Sequence, residues 1–344
     1  MISPGDFIII GENIHATRII PRSSPRMGTD QHGREAVVFE DGAGTTRHLP
    51  IPEAERETRD YRDGRIKHVR VAVQMAMQGE EPDASTALAY LEAMVRSQVG
   101  AGADYLDLNV DEVSLQTSEQ IEAMRWLVRT VGQWASVPLA IDSPNLEIVA
   151  AGLEEAARGP GGLPMVNSAS LERPEALELA VKVGGPVVVT AAGESGIPGD
   201  ADGRIANATR IVELAQARGI PLGRLYVDPL VFPISVDGAS GAHCLAAFRA
   251  LRERFGPEIH LTGGMSNVSF GLPIRRLVND AFFLLAVEAG ADSGIVDPIQ
   301  SNPERVFALD RSSRPFQLAV DVLTGADPHC RAYIKAFRAG ELGE

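Results

Sequence analysis

Residues 138–170 limit the fold more than any other stretch of this chain. They hold two short apolar runs, 138–141 and 164–166. The first stops at Asp142 and Ser143, the second at Asn167 and Ser168. Between them Leu146, Val149, Ala150 and Leu153 recur at helical spacing, and a Gly/Pro break follows. Strand, helix, strand with no polar alternation inside the strands is the pattern of a parallel sheet covered on both faces. A polar residue at the C-terminal end of such a strand points to where these sheets bind ligands.

The same unit recurs along the chain. A first strand at 7–10 ends in Gly11, Glu12 and Asn13, and residues 84–100 form an amphipathic helix. A strand at 105–110 sets Asp107 and Asn109 on one face. Ser118 is expected to N-cap a helix carrying Ile121, Met124, Leu127, Val128 and Val131 on one stripe. Strands follow at 138–142, 164–167, 186–191, 225–229, 259–263 and 293–297. Helices at 145–157, 173–184, 203–218, 241–254 and 273–289 separate them, and 315–340 adds one or two closing helices. Eight strand–helix units predict the α/β class, as a (β/α)8 TIM barrel filling one domain, 1–344. A doubly wound sheet would want a glycine-rich fingerprint after the first strand, and GENIHA is not one. Segment 16–83 breaks the pattern, too long for a connection and too polar for a core. It reads as an insertion or lid after the first strand, with a helix at 69–78 and EAVVFEDG and TTRHLPIP as a two-stranded piece. A subunit contact or mobile loop fits it as well.

Several chemistries are excluded. A net charge of −14 disfavours nucleic acid and anionic membranes as partners. No apolar run approaches the roughly 18 residues of a membrane span, and no basic-then-apolar leader opens the chain. Cys244 and Cys330 make no CxxC, so a reducing cytoplasmic setting is expected. Schiff-base chemistry would want a lysine at a strand end, and Lys67, Lys182 and Lys335 are not so placed. His15, His32, His48, His68, His243, His260 and His329 are scattered without metal-ligand spacing, and read as surface or packing residues. What remains is Asn13, Asp107, Asn109, Asp142, Asn167, Asp228, Asn267 and Asp297, all at strand ends. Each alone could cap a helix. Together they suit a flat, donor-rich heterocycle, because a carboxylate accepts two parallel N–H bonds from an amino-pyrimidine edge. Magnesium on Asp107, Asp142, Asp228 and Asp297 is the other use open to them.

The strings LDLNV, LAIDSPN, MVNSAS, TAAGESGIPGDADGRIA, LYVDPL and GGMSNVSFGLPIR occur in this order. In this the chain resembles the pterin-binding methyltransferases, which move a methyl group between N5 of tetrahydrofolate and the cobalt of a corrinoid protein. The folate domain of cobalamin-dependent methionine synthase and, more distantly, dihydropteroate synthase share their barrel. The resemblance covers roughly residues 84–300 and the first strand. It implies that Asp142, Asn167 and Asp228 hold the pterin ring, supported by Asp107 and Asn109. Ser143, Gly264 and Ser266, which flank them in the matching motifs, are implied as further substrate-binding residues. Asn267 in MSNVS matches the asparagine that reaches N5, where it would assist the proton change as the catalytic residue. The implied substrates are tetrahydrofolate and 5-methyltetrahydrofolate, with cobalamin carried on a separate partner protein and a homodimer as the assembly. The homodimer also draws on an outer apolar face at Phe282, Phe283 and Leu285. The family's patterns DLNVGP, INSTN and TMNKTGIP stand here as DLNVDEV, VNSAS and TAAGESGIP, so Asp111 and Glu112 add charge beside the pocket. A dihydropteroate-synthase-like condensing enzyme and a non-catalytic pterin-binding protein are the competing readings.

Overall fold

The computed structural model describes residues 2–159 and 161–343. Its eight main strands are β1 (Ile8–His15), β2 (Tyr105–Asn109), β3 (Leu139–Asp142), β4 (Met165–Ala169), β5 (Val187–Thr190), β6 (Leu225–Asp228), β7 (His260–Leu261) and β8 (Ser293–Val296). They share one sheet in the order β7–β6–β5–β4–β3–β2–β1–β8. Pairing is parallel for β2 with β3, β4 with β5, β5 with β6 and β6 with β7. The amides of Asp292 and Ile295 donate to the carbonyls of Leu261 (3.2 Å) and Gly263 (2.9 Å), which brings β8 to β7. Strands in sequential order with alternating helices make this a (β/α)8 TIM barrel. The apolar runs explain it: Leu106, Leu108, Ala140, Ile141, Val166, Val187, Val189 and Val227 are all fully buried.

The chain divides into two compact units, Gly11–Pro164 and Met1–Ile10 with Met165–Glu344. In the first, segment 16–83 has a core despite its charge. Strands Met27–Thr29, Glu35–Glu40 and Thr46–Pro50 form an antiparallel sheet. It buries Ala36, Val37, Phe39 and Leu49, and the Phe39 ring meets Tyr90 edge-on at 4.9 Å. Arg34 grips Asp83 through both terminal nitrogens (2.6 and 2.9 Å), and Arg26 donates to the Tyr90 hydroxyl at 2.8 Å. The sheet therefore packs on helix Asp83–Gly100. A helix at His68–Gln78 matches the one expected at 69–78. The helix at Thr117–Val131 starts ahead of Ser118, with Gln116 at the N-cap and no side-chain cap bond, so Ser118 is not its cap. Asn145 does cap its helix, accepting from the Glu147 amide at 2.9 Å.

In the second unit a short helix, Pro303–Phe307, was not foreseen, and two helices, Arg314–Thr324 and Arg331–Arg338, close the chain. Phe282 and Phe283 are fully buried, the latter 4.4 Å from the Phe7 ring. They form interior packing and offer no surface to a second subunit, which removes the argument drawn from them for a dimer.

Candidate functional site

Within Gly11–Pro164 the ends of β1, β2 and β3 carry a polar cluster, buried at Asp107, Asn109 and Ser143 and half-buried at His15, Asp111 and Asp142. Asp107 and Asn109 both lie in β2, separated by one residue, and are buried. The Asn109 amide donates to Asp111 (2.6 Å) and to the Asp142 carboxylate (2.9 Å), while its oxygen accepts from the Asp111 amide at 3.0 Å. Ser143, also buried, donates to the other oxygen of Asp111 at 2.6 Å. Asp111 thus braces Asn109 and Ser143. Glu112 pairs with Lys67, which also holds Asp60 at 2.8 Å. The added acids are built into the local structure, a role the sequence did not reveal.

His15 is the residue that sequence reasoning missed. β1 runs to it, well past the apolar run, and its Nε2 lies 3.0 Å from Oδ2 of Asp107. Burial alone would lower the imidazole, but the charge and hydrogen bond of Asp107, with Asp142 and Glu12 behind, raise it to about 9. Asp142 is pushed up to about 7, first by enclosure and then by Asp107, while His15 and the Asn109 bond pull it down. His15, Asp107 and Asp142 each present one atom within 4.8 Å of the others, the spacing of a small cation site. Within it His15 bonds to Asp107, while Asp142 accepts from Asn109. Asn13 has a bracing part: its oxygen accepts from Arg18 at 2.6 Å, and Arg18 also pairs with Glu12 at 3.0 Å.

The second unit carries Asn167 within β4, and Asp228, Gly264, Ser266 and Asn267 at or just after the ends of β6 and β7. Asn167 is buried in β4. Asp228 ends β6 and accepts from the Leu230 amide at 2.7 Å. Burial pushes it up to about 6, against that bond, the Arg204 charge and the Gly264 amide. Behind it Arg204, only 2% exposed, donates to the carbonyls of Pro229 (3.0 Å) and Leu230 and to the Ser240 hydroxyl at 3.2 Å. Leu230 has φ of 70°, a left-handed backbone costly for a branched side chain. The helical spacing around Arg204 gave no sign of this role.

Asn267 lies in the one-turn helix Met265–Ser269, and its side-chain amide makes no hydrogen bond to the described protein. The next helix begins at Arg275 with Ile274 at its N-cap, so Asn267 does not cap it. A Cβ on Gly264 would stand 2.7 Å from the Asn267 amide nitrogen, and one on Gly263 would stand 3.2 Å from an Asp228 oxygen. The paired glycines leave room for these two side chains. Asp297 turns back on its own loop, accepting from Ile299 (3.0 Å) and Gln300 (2.8 Å).

The family model for pterin binding enzymes matches residues 78–297. This chain is a pterin-binding enzyme. It is 33% identical over 263 residues to a methylcorrinoid:tetrahydrofolate methyltransferase from Eubacterium limosum, covering 73% of this chain and 90% of that one. It is 29% identical over 265 residues to methionine synthase from Mycobacterium tuberculosis, covering 67% of this chain and 22% of that much longer protein. Among solved structures, dihydropteroate synthase from Xanthomonas albilineans superposes with a TM-score of 0.52 at 20% identity, over 66% of this chain and 86% of that one. That likeness concerns the barrel alone. No helix among the described residues is long and apolar enough to cross a membrane.

Proposed function

We propose that this chain transfers a methyl group from a corrinoid protein to N5 of tetrahydrofolate. The observation that carries the reading is the Asn267 side-chain amide, which makes no hydrogen bond among the described residues and follows a strand whose neighbour ends in Asp228. The direction follows the name of the Eubacterium limosum relative. Asp142 and Asp228, as carboxylates, accept the N–H donors of the pterin, and Asn167 supplies both donor and acceptor. The corrinoid supplies the methyl group and keeps the electron pair of the broken bond. As N5 forms its new bond to carbon it loses its proton. Asn267 accepts that N–H bond through Oδ1 while the proton passes to solvent, and in the reverse direction the same contact steadies N5 as it is protonated.

Asp142→Ala is expected to weaken tetrahydrofolate binding about tenfold or more, since a buried bond to a charged group contributes about 1.5–3 kcal/mol. Titration calorimetry reads it, and unchanged affinity rejects the assignment. Binding needs ionised Asp142, held near 7, so wild-type affinity should fall as pH drops below that value.

The corrinoid partner is expected to dock on the loops after β5, β6, β7 and β8. Each exposes a large apolar side chain there: Ile197 (55%), Val236 (78%), Phe270 (46%) and Ile299 (54%). Val236→Lys with Ile299→Lys should slow transfer with a protein-bound corrinoid roughly tenfold and leave transfer with free cobalamin unchanged. Equal losses with both would show damage to the folate site instead. A condensing enzyme acting on a pyrophosphate ester would need uncommitted cations after the late strands. Arg305 is held by Asp280 (2.6 and 2.8 Å), Arg275 by Ser269 and Ser266, and Arg276 lies 3.9 Å from Asp280. The reading as a folate methyltransferase is therefore preferred, and 4-aminobenzoate should not bind.

A further inference from the structure

We propose that His15 is a positioning residue for the folate: as an imidazolium on Asp107 it keeps Asp142 an anion, the form that can accept two N–H bonds from the pterin. This rests on the reading above that Asp142 meets the pterin.

The geometry carries it. Three carboxylates, the buried Asp107 and the half-buried Asp111 and Asp142, share one cluster with Asn109 and Ser143. Asp107 is 1% exposed and the His15 side chain 15%, with 3.0 Å between their atoms. Groups of one sign packed out of water disfavour each other's ionisation, and one of them takes up a proton unless a cation stands among them. The nearby cations other than His15 are committed elsewhere. Arg18 pairs with Glu12 at 3.0 Å, and Lys67 with Asp60 and Glu112. On β1 the charged groups are Glu12 and His15, on β2 Asp107, on the following loop Asp111 and Glu112, the latter paired with Lys67, and on β3 Asp142 itself. His15 is the cation that Asp107 and Asp142 share, all three within 4.8 Å. The raised basicity of His15 agrees with this. Because Asp107 takes the hydrogen bond, His15 acts on Asp142 through charge and leaves its oxygens open to ligand and to Asn109.

A neutral side chain at this place should move the ionisation of Asp142 upward by about one to two pH units. Folate affinity of His15→Gln should then fall about tenfold at pH 7 and approach the wild-type value near pH 9. His15→Lys, which restores a cation, should return the acid limb toward neutral pH. A purely structural role for His15 would lower affinity equally at every pH.

The test is tetrahydrofolate titration from pH 6 to 9 on wild type, His15→Gln, His15→Lys and Asp142→Asn, with melting temperatures on the same samples. A displaced acid limb in His15→Gln alone supports the inference. A wild-type pH profile in His15→Gln, with affinity lost in Asp142→Asn, overturns the role of His15 and spares the pterin assignment. Unchanged affinity in Asp142→Asn overturns the assignment itself. A wild-type affinity that falls with EDTA and returns with zinc would make the cluster a metal site and overturn the imidazolium. If the variants fail to fold, imidazole nitrogen shifts of wild-type His15 at pH 7.5 decide it. Two protonated nitrogens are expected, and a neutral tautomer overturns the proposal.

Discussion

Asn267→Ala should lower single-turnover methyl transfer by about 10²–10³ while changing tetrahydrofolate affinity by no more than about threefold. The asymmetry follows from where charge changes. N5 gains or loses its proton as the carbon bond forms, so a contact to N5 is strongest at the barrier. Such a contact lowers the barrier without adding much ground-state affinity. The competing explanation, that Asn267 merely caps the next helix, is removed by Ile274 at that N-cap. Its amide makes no bond to the described protein, so truncation should leave stability nearly unchanged. Quench-flow transfer to free cobalamin, with binding and melting measured on the same sample, reads all three. A near-normal rate in a normally folded variant would take Asn267 out of the mechanism.

What could be read from the sequence had a local cause. Strands β2 to β8 show as apolar runs because parallel strands are buried on both faces, and their polar tips mark the C-terminal ends of the strands by position alone. In the sequence a glycine pair such as 263–264 fits a close ligand approach and a tight turn equally well. The structure shows them clearing space for Asp228 and Asn267. Other features depended on partners far away in sequence. Nothing near His15 reveals that β1 continues to it, or that Asp107, 92 residues on, accepts its hydrogen bond. The sheet at 27–50 was underread because its strands are short and charged, and its core is completed by Tyr90 and its neighbours on a later helix. Phe282 and Phe283 erred the opposite way. An apolar pair on an outer helix resembles an interface until Phe7 is seen packed against it.

Arg204→Met should destabilise the protein by about 3–5 kcal/mol and move the acid limb of folate binding upward. Arg204 sits in the first turn of helix Ala201–Ala217, where a charged residue at helical spacing reads as a solvated face. It is instead buried, with its terminal nitrogens on the carbonyls of Pro229 and Leu230 and on Ser240. Methionine roughly keeps the volume but leaves the buried Pro229 carbonyl and the part-buried Leu230 carbonyl without donors, each costing about 1–3 kcal/mol. Those carbonyls belong to the loop whose Leu230 amide donates to Asp228, and Leu230 holds φ of 70° only while the loop is pinned. The same substitution removes a positive charge that now lowers Asp228 from the level burial would give it. Asp228 stands near 6 in the intact protein, so without Arg204 it should ionise later as pH rises. Folate affinity would then be lost below a higher pH than in wild type and recover above about 8. Arg204→Lys should regain part of the pH profile, because the charge returns, but little of the stability, because one ammonium cannot span both carbonyls and Ser240. Denaturant unfolding with calorimetric titration at pH 6 to 8.5 separates the two effects. A stability loss with an unmoved pH profile would confine Arg204 to holding the loop, and no loss in either would mean that the buried guanidinium is dispensable.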